Sequence, residues 1–291
     1  MGPTVGEFHY RLRAPVSGYR PGSHPGTALG SGHEFAAHVR LLDNPDPRRI
    51  DIRASLRNVR REWLTQVYRQ RAALAVYAVV DVSESMQFGE PRPKLAVATD
   101  FVESLGLSAY RAGDPVGLLG FDTAQREDLF VPARHSRAAG TAMGSRLRQA
   151  QATTAPQRAR TPARALGETV QKLIGKRCLV FLVSDFHWPL DQLGPALDML
   201  AEASVIPVVI WDRAEVTPPV DDGLLRVRDA ENGGRRSLWM TPALRARWLQ
   251  GVADHRAALD AAFSARHMRP FYVQDVFAPE QLSRYFLEDY A

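Results

Sequence analysis

Apolar residues in this chain gather into short unbroken runs, and the runs alternate with stretches where apolar positions recur three and four apart. The clearest run is Ala72 to Val80, AALAVYAVV, nine residues preceded by Arg71 and closed by Asp81. It is rich in valine and too short to span a membrane, so it predicts a strand covered on both faces, the kind found in parallel sheets. Val116 to Phe121, Cys178 to Val183 and Val205 to Trp211 repeat the pattern. Between the first two runs, Leu95, Ala98, Val102, Leu105 and Ala109 mark one face of a helix opened by Pro93 and Lys94 and stopped at Gly113-Asp114. Further helices are expected over Ala139 to Ala152, Pro162 to Leu173 with proline in its first turn, Leu190 to Ala203, Pro242 to Arg266 and Glu280 to Tyr290. Arg126 to Val131 predicts an antiparallel edge, and Phe271 to Val273 a last strand. Leu224 to Arg228 and Ser237 to Met240 predict a hairpin around Asn232-Gly233-Gly234. This alternation predicts an α/β domain over residues 72–291, a doubly wound, mostly parallel sheet.

Upstream of residue 72 the alternation is missing. Residues 1 to 33 are dense in glycine and proline and predict an irregular arm that wraps or folds on a partner. Asn44-Pro45-Asp46-Pro47 predicts a turn, Ile50 to Ser55 a short helical start or an extended piece, and Trp63 to Tyr68 an edge strand. The expected organisation is therefore an N-terminal arm and edge-strand region, 1–71, followed by the α/β domain. Arg49, Asp51 and Arg53 are spaced to form a salt-bridged anchor on the sheet, with ordinary surface ion pairs as the plain alternative. His33 and His38 flank Glu34 as in a zinc-protease helix, but a spacing of five rotates the second histidine off the common face.

Composition narrows the function classes. The chain has 291 residues and 32.3 kDa, with 45% hydrophobic and 24% charged residues, values of an ordinary globular protein with one large domain or two smaller ones. Net charge is +5 and the pI is near 9.6, with much of the arginine excess between Arg48 and Arg71. Aromatic residues are not interleaved with those arginines as in a single-strand-binding surface, so nucleic acid is not the expected partner. The one cysteine, Cys178, lies in an apolar run, where it packs as a small hydrophobe and fits a reducing compartment. No apolar segment follows the N-terminal charges and no window reaches membrane-spanning length, so a soluble cytoplasmic protein is expected.

The candidate chemistry sits where the first run ends. Asp81, Ser83 and Ser85 occupy alternate positions, and in open α/β sheets ligands gather just beyond the carboxyl ends of the strands. One carboxylate and two small hydroxyls on a tight loop suit a hard divalent cation, Mg²⁺ or Mn²⁺. Helix capping by the two serines accounts for the triplet equally well. A phosphoryl-accepting aspartate is disfavoured because Ser83 stands where the second acid would be needed. Asp185 ends the third run and so shares an edge with Asp81, and Thr161 precedes the Pro162 helix.

This set resembles the metal-ion-dependent adhesion site of von Willebrand factor A-like domains. The resemblance implies that Asp81, Ser83, Ser85, Thr161 and Asp185 hold Mg²⁺ and leave a position for a partner's carboxylate. Over most of its length the chain is similar to bacterial domain-of-unknown-function-58 proteins. The motifs are Gly32-x-Glu34-Phe35, Asp46-x-Arg48-Arg49-Ile50-Asp51, Ala54-Ser55, Gly113-Asp114-x-Val116-Gly117-Leu118-Leu119-x-Phe121 and Ser184-Asp185-Phe186. Gly223 to Asp229 and Arg256-Ala257-Ala258-Leu259 complete them. That resemblance implies an adaptor working with a MoxR-type AAA+ ATPase in the maturation of a client protein. Phe8-His9-Tyr10-Arg11 and Pro45-Asp46-Pro47-Arg48-Arg49 resemble the MxaS-like members found with methanol dehydrogenase maturation genes. Arg160 precedes Thr161 where the family commonly has glycine, and Thr141 is the rival hydroxyl. Thr161 is preferred because one helix and one strand lead from it to Asp185.

The leading expectation is non-enzymatic, metal-dependent capture of a partner carboxylate, with Arg49, Arg53, Arg160 and His187 as partner contacts. One alternative is an Mg²⁺-dependent hydrolase or phosphotransferase with His187 as its base, although no glycine-rich phosphate loop is present. Another is a metal-free scaffold that binds through Arg48 to Arg71.

Overall fold

Two units, each built on its own sheet, divide the chain: Arg11–Leu74 with Ala112–Asp114, and Met1–Tyr10 with Ala75–Arg111 and Pro115–Ala291. The computed structural model describes residues 6–11, 21–30, 34–153, 162–228 and 235–288.

The smaller unit contains β1 (Pro21–Gly30), β2 (Glu34–Arg40), α1 (Ile52–Arg57) and β3 (Leu64–Ala72), with a 3-10 turn at Pro47–Arg49. Its antiparallel sheet has the order β1-β3-β2, so the predicted edge strand is the central one. Alternating side chains report which face is buried, whereas lateral pairing is made by backbone groups common to all residues. The predicted irregular arm is likewise corrected over 21–30. Gly26 there serves close approach, since a Cβ would lie 2.3 Å from the Gln70 carbonyl oxygen. His38 lies in β2, a strand.

Asp51 does not anchor Arg49 and Arg53 to the sheet. It caps α1, accepting from the Ala54 N–H at 2.9 Å, while its other oxygen meets Gln66 Nε2 at 2.8 Å and His38 Nε2 at 3.0 Å. A cap uses the short reach of an aspartate better than an exposed pair does. Arg49 instead pairs with Asp46 at 3.3 Å and lies over the Tyr68 ring. Buried Asp114 accepts from the Leu74 N–H at 2.8 Å and meets His24 at 2.7 Å, so this part of the Gly113-Asp114 motif is architectural.

In the larger unit the chain runs β4 (Val76–Asp81), α2 (Lys94–Ala112), β5 (Val116–Phe121), β6 (Gln125–Arg134), α3 (Ala139–Thr153), α4 (Pro162–Val170) and β7 (Leu179–Ser184). It continues through α5 (Leu193–Asp198), β8 (Ser204–Trp211), α6 (Arg213–Val216), β9 (Gly223–Arg228), β10 (Arg235–Met240), α7 (Pro242–Ser264), β11 (Phe271–Gln274) and α8 (Pro279–Glu288). The main sheet has the order β11-β8-β7-β4-β5-β6, parallel throughout except for edge strand β6. Counted in chain order from the β6 edge this is 3-2-1-4-5-6, a doubly wound arrangement whose direction reverses between β4 and β7. The expected doubly wound, mostly parallel sheet is borne out, and every residue of β4, β5 and β7 is buried.

Local departures have local causes. The expected helix over Leu190 to Ala203 is shorter, because residues 199–203 close in turns such as Leu200 N–H to the Leu197 carbonyl, and an apolar stripe that short fits either geometry. Phe8 and Tyr10, inside the expected arm, are buried, Phe8 against Phe101, Phe181 and Phe277. Cys178 packs in the core, where burial pushes its thiol up to about 11. The hairpin strands β9 and β10 pair as expected, with the Asn232-Gly233-Gly234 tip outside the described residues. No helix of the described residues is long and apolar enough to cross a membrane.

Helices α2 and α3 touch at two glycines: a Cβ on Gly106 would lie 2.2 Å from the Gly140 Cα. Gly106→Ala is therefore expected to lower stability by about 1–3 kcal/mol despite alanine's better helix propensity. Chemical denaturation measures it; an equally stable variant would contradict this seating of α3.

Candidate metal centre

Parallel strands β4, β7 and β8 end side by side, and each delivers an acid to that edge: Asp81 as the last residue of β4, Asp185 directly after β7, and Glu215 in α6 after β8. Asp81 and Asp185 flank the point where the winding reverses, which is where a doubly wound sheet opens a crevice.

The Asp81 carboxylate is fully buried and held by three donors. Its Oδ1 accepts from the Ser83 N–H at 2.9 Å, and its Oδ2 from Ser184 Oγ at 2.7 Å and Trp188 Nε1 at 3.2 Å. Beyond it, the chain takes a 3-10 turn at Glu84–Gln87, which brings Ser83 Oγ and Ser85 Oγ to 3.1 Å from each other. The two serines make no side-chain cap there: Ser83, at the N-cap of the turn, has none. Burial, reinforced by the charge of Asp185, pushes Asp81 up to about 6.

Asp185 is reached through a strained turn. Ser184 Oγ, while donating to Asp81, accepts from the Phe186 N–H at 2.9 Å, and Phe186 takes a left-handed φ of 53° that bulky residues rarely adopt. Burial opposes charge on Asp185, but Lys94 Nζ, 2.6 Å from its Oδ2, overcomes that cost and holds the carboxyl below its ordinary value. Lys94 is 2% exposed and also donates to Glu215 Oε1 at 2.5 Å. Glu215 is fixed by a capping box in which its Oε2 accepts from the Asp212 N–H at 3.0 Å.

Asp185, His187 and Glu215 each offer a ligand atom within 4.8 Å of the others, with His187 Nε2 at 3.5 Å from Glu215 Oε2. The Lys94 ammonium already bridges the two carboxylates of that trio. Beside it lies a cavity of about 360 Å³ walled by His187, Trp211, Trp248 and His255, with Glu215 and Arg247 as its charged lining. Trp211 stacks on His187, and Trp248 Nε1 donates to the Glu215 carbonyl at 2.8 Å. Burial and the facing His187 charge hold His255 below the usual histidine range.

The fold thus brings Asp81, Ser83, Ser85 and Asp185 to one edge, with His187 two residues on. Thr161 and Arg160 lie outside the described residues, and Thr141 is an exposed residue of α3. Lys94, Ser184, Trp188 and Glu215 were not anticipated. Lys94 opens α2 in sequence, and only its place four residues before the stripe residue Ala98 marks it for the buried face.

The oxygen-only set of Asp81, Ser83 and Ser85 fits a hard divalent cation, and Asp185, already paired with Lys94, adds little free negative charge to it.

A family described as protein of unknown function DUF58 matches residues 44–258. The uncharacterized protein Rv1480 of Mycobacterium tuberculosis (strain ATCC 25618 / H37Rv) is 27% identical over 253 residues, 84% of this chain and 76% of that protein. An uncharacterized protein in the moxR 3′ region of Paracoccus denitrificans is 33% identical over 98 residues, 34% of this chain and 93% of that protein. Among solved structures, a von Willebrand factor type A protein from Catenulispora acidiphila is similar at 13% identity and a TM-score of 0.36, over 77% of this chain and 43% of that one.

Proposed function

Starting from a chain that belongs to the DUF58 family, we propose that it is a non-enzymatic, metal-dependent adaptor that captures a carboxylate of a partner protein. The observation that carries this reading is the pair of buried acids, Asp81 and Asp185, at the reversal point of the sheet, with the hydroxyls of Ser83 and Ser85 beside Asp81. Asp81, Ser83 and Ser85 would hold Mg²⁺ or Mn²⁺, with Thr161 and Asp185 completing the set. The cation, when bound, supplies Lewis acidity toward one further oxygen ligand.

The residues around it orient and charge-balance the site. Ser184 and Trp188 fix the Asp81 carboxylate, and Lys94 neutralises Asp185, so few anionic groups compete with an incoming carboxylate. The cavity walled by His187, Trp211, Trp248 and His255 would take the apolar residue next to the captured acid. Kinship with the Paracoccus protein of the moxR 3′ region supports a MoxR-type AAA+ ATPase as co-worker. The client would be a protein undergoing maturation or metal or cofactor insertion, with methanol dehydrogenase as the class suggested by the MxaS-like opening.

Calorimetric titration with Mg²⁺ and Mn²⁺ tests the site. One ion is expected to bind the wild type saturably, and Asp81→Ala and Asp185→Ala to weaken that binding at least tenfold, a loss of about 1.4 kcal/mol. Wild type without a saturable isotherm, or variants that bind as it does, would remove the metal from the account.

A further inference from the structure

We infer that the α1 end of the smaller unit is a docking surface for a lipid bilayer bearing anionic phospholipid. Five large apolar side chains stand in solvent there: Leu42 at 92% exposure, Ile52 at 62%, Leu56 at 79%, Val59 at 98% and Trp63 at 55%. They are neighbours through the backbone. Leu41 N–H donates to the Trp63 carbonyl at 2.8 Å, and Asp51 N–H to the Leu64 carbonyl at 2.9 Å, so the loop after β2, helix α1 and the start of β3 meet at one end of the sheet. Ile52 and Leu56 are one helical turn apart and share a face of α1. Exposed apolar residues grouped in this way mark a contact surface.

Among the described residues, the charges around them that make no ion pair are of one sign. Arg48, Arg53, Arg57, Arg60 and Arg61 are exposed and make no ion pair among the described residues. The neighbouring acids are already engaged: Asp43 and Glu62 face Arg40, Asp46 faces Arg49, and Asp51 caps α1. Arg53 and Arg57 repeat the spacing of Ile52 and Leu56 one position later, which sets a cationic row beside the apolar one.

A bilayer suits this pattern better than an acidic protein does. Leu42 and Val59 are almost wholly exposed on separate loops, so a protein would need a separate pocket for each, whereas the acyl region accepts apolar side chains at any spacing. Guanidinium forks at headgroup depth pair with phosphate, and their stems lie along the apolar row. The indole of Trp63 belongs at that same level.

The experiment is sedimentation of the full chain with vesicles of phosphatidylcholine alone and of phosphatidylcholine mixed with phosphatidylglycerol, at about 0.15 M salt. Binding is expected to the mixed vesicles only and to weaken as salt rises. The triple variant Arg53→Gln, Arg57→Gln, Arg60→Gln should lose about a hundredfold in partitioning, at roughly fivefold per arginine. Val59→Asp should lose about tenfold or more, and at 98% exposure it leaves the melting temperature unchanged. Wild type that ignores phosphatidylglycerol vesicles would overturn the inference. So would undiminished binding by Val59→Asp, or equal, arginine-dependent capture of an acidic peptide such as polyglutamate without vesicles, which would assign the surface to an acidic protein.

Discussion

Lys94→Met is expected to destabilise the fold by about 3–5 kcal/mol, the usual result of deleting one partner of a buried ion pair. Methionine fills nearly the same volume, so the loss measures charge rather than packing. Asp185, wholly buried, would keep the His187 N–H at 3.2 Å but lose the ammonium at 2.6 Å, and Glu215 would lose the one at 2.5 Å. With the cation present, Asp185 is held below its ordinary value against the opposing effect of burial. Without it, burial is opposed only by His187, through its N–H and its ring, and the balance moves toward the protonated acid. The sign follows: the deficit is greatest at neutral pH and shrinks as the pH falls and Asp185 takes up a proton. Adding Asp185→Asn to Lys94→Met should recover much of the loss, since the wholly buried orphaned charge is gone and only the less buried Glu215 still lacks its ammonium. Guanidinium unfolding at pH 7.5 and pH 5 decides it. A loss under about 1 kcal/mol at pH 7.5 would mean that the pair behaves as an exposed one.

The second large effect is carried by Asp81. Its carboxyl is pushed up to about 6 from an ordinary 3.8, first by burial and then by the Asp185 charge. An acid whose value is raised on folding contributes stability that is present below the unfolded value and is lost as pH rises through the folded one. The metal-free protein should therefore lose about 2 kcal/mol between pH 4 and pH 7 relative to Asp81→Asn, which does not titrate there. A divalent cation that binds the charged form reverses this, so Mg²⁺ should raise the melting temperature clearly at pH 7.5 and little at pH 5. Superimposable pH profiles for the wild type and Asp81→Asn would sink the prediction. A wild-type profile that falls as expected but ignores Mg²⁺ would keep the buried charge and reject the cation.

Both effects concern groups with very different legibility. Asp81, Ser83 and Ser85 announce themselves because they follow a run of buried residues without a gap, and a run that ends in a carboxylate at a strand terminus is a local pattern. Asp185 is legible for the same reason, at the end of CLVFLVSD. Glu215 is not: it enters the site because the capping box of a four-residue helix turns it toward Lys94, 121 residues away in sequence. The serines were equally readable as helix caps, and only their convergence at 3.1 Å beside Asp81, with no cap bond from Ser83, distinguishes the two readings.

The N-terminal region shows the complementary failure. Glycine and proline at 21–30 signal irregularity when counted, yet Gly26 is where one strand backbone presses against another. Phe8 and Tyr10 carry no periodicity to betray their burial, because two residues are too few to define a face.

The sequence by itself determined the larger unit's class, its strand and helix order apart from the short α6, and the strand end where Asp81 and Asp185 lie, since burial on both faces and helical spacing are written in contiguous residues. Tertiary structure alone decided the lateral strand order, the central place of β3, and the buried Lys94 bridge between Asp185 and Glu215. Those depend on which segments meet across long separations in the chain, and the backbone hydrogen bonds and desolvated charges that settle such meetings leave no periodic trace in the residues that make them.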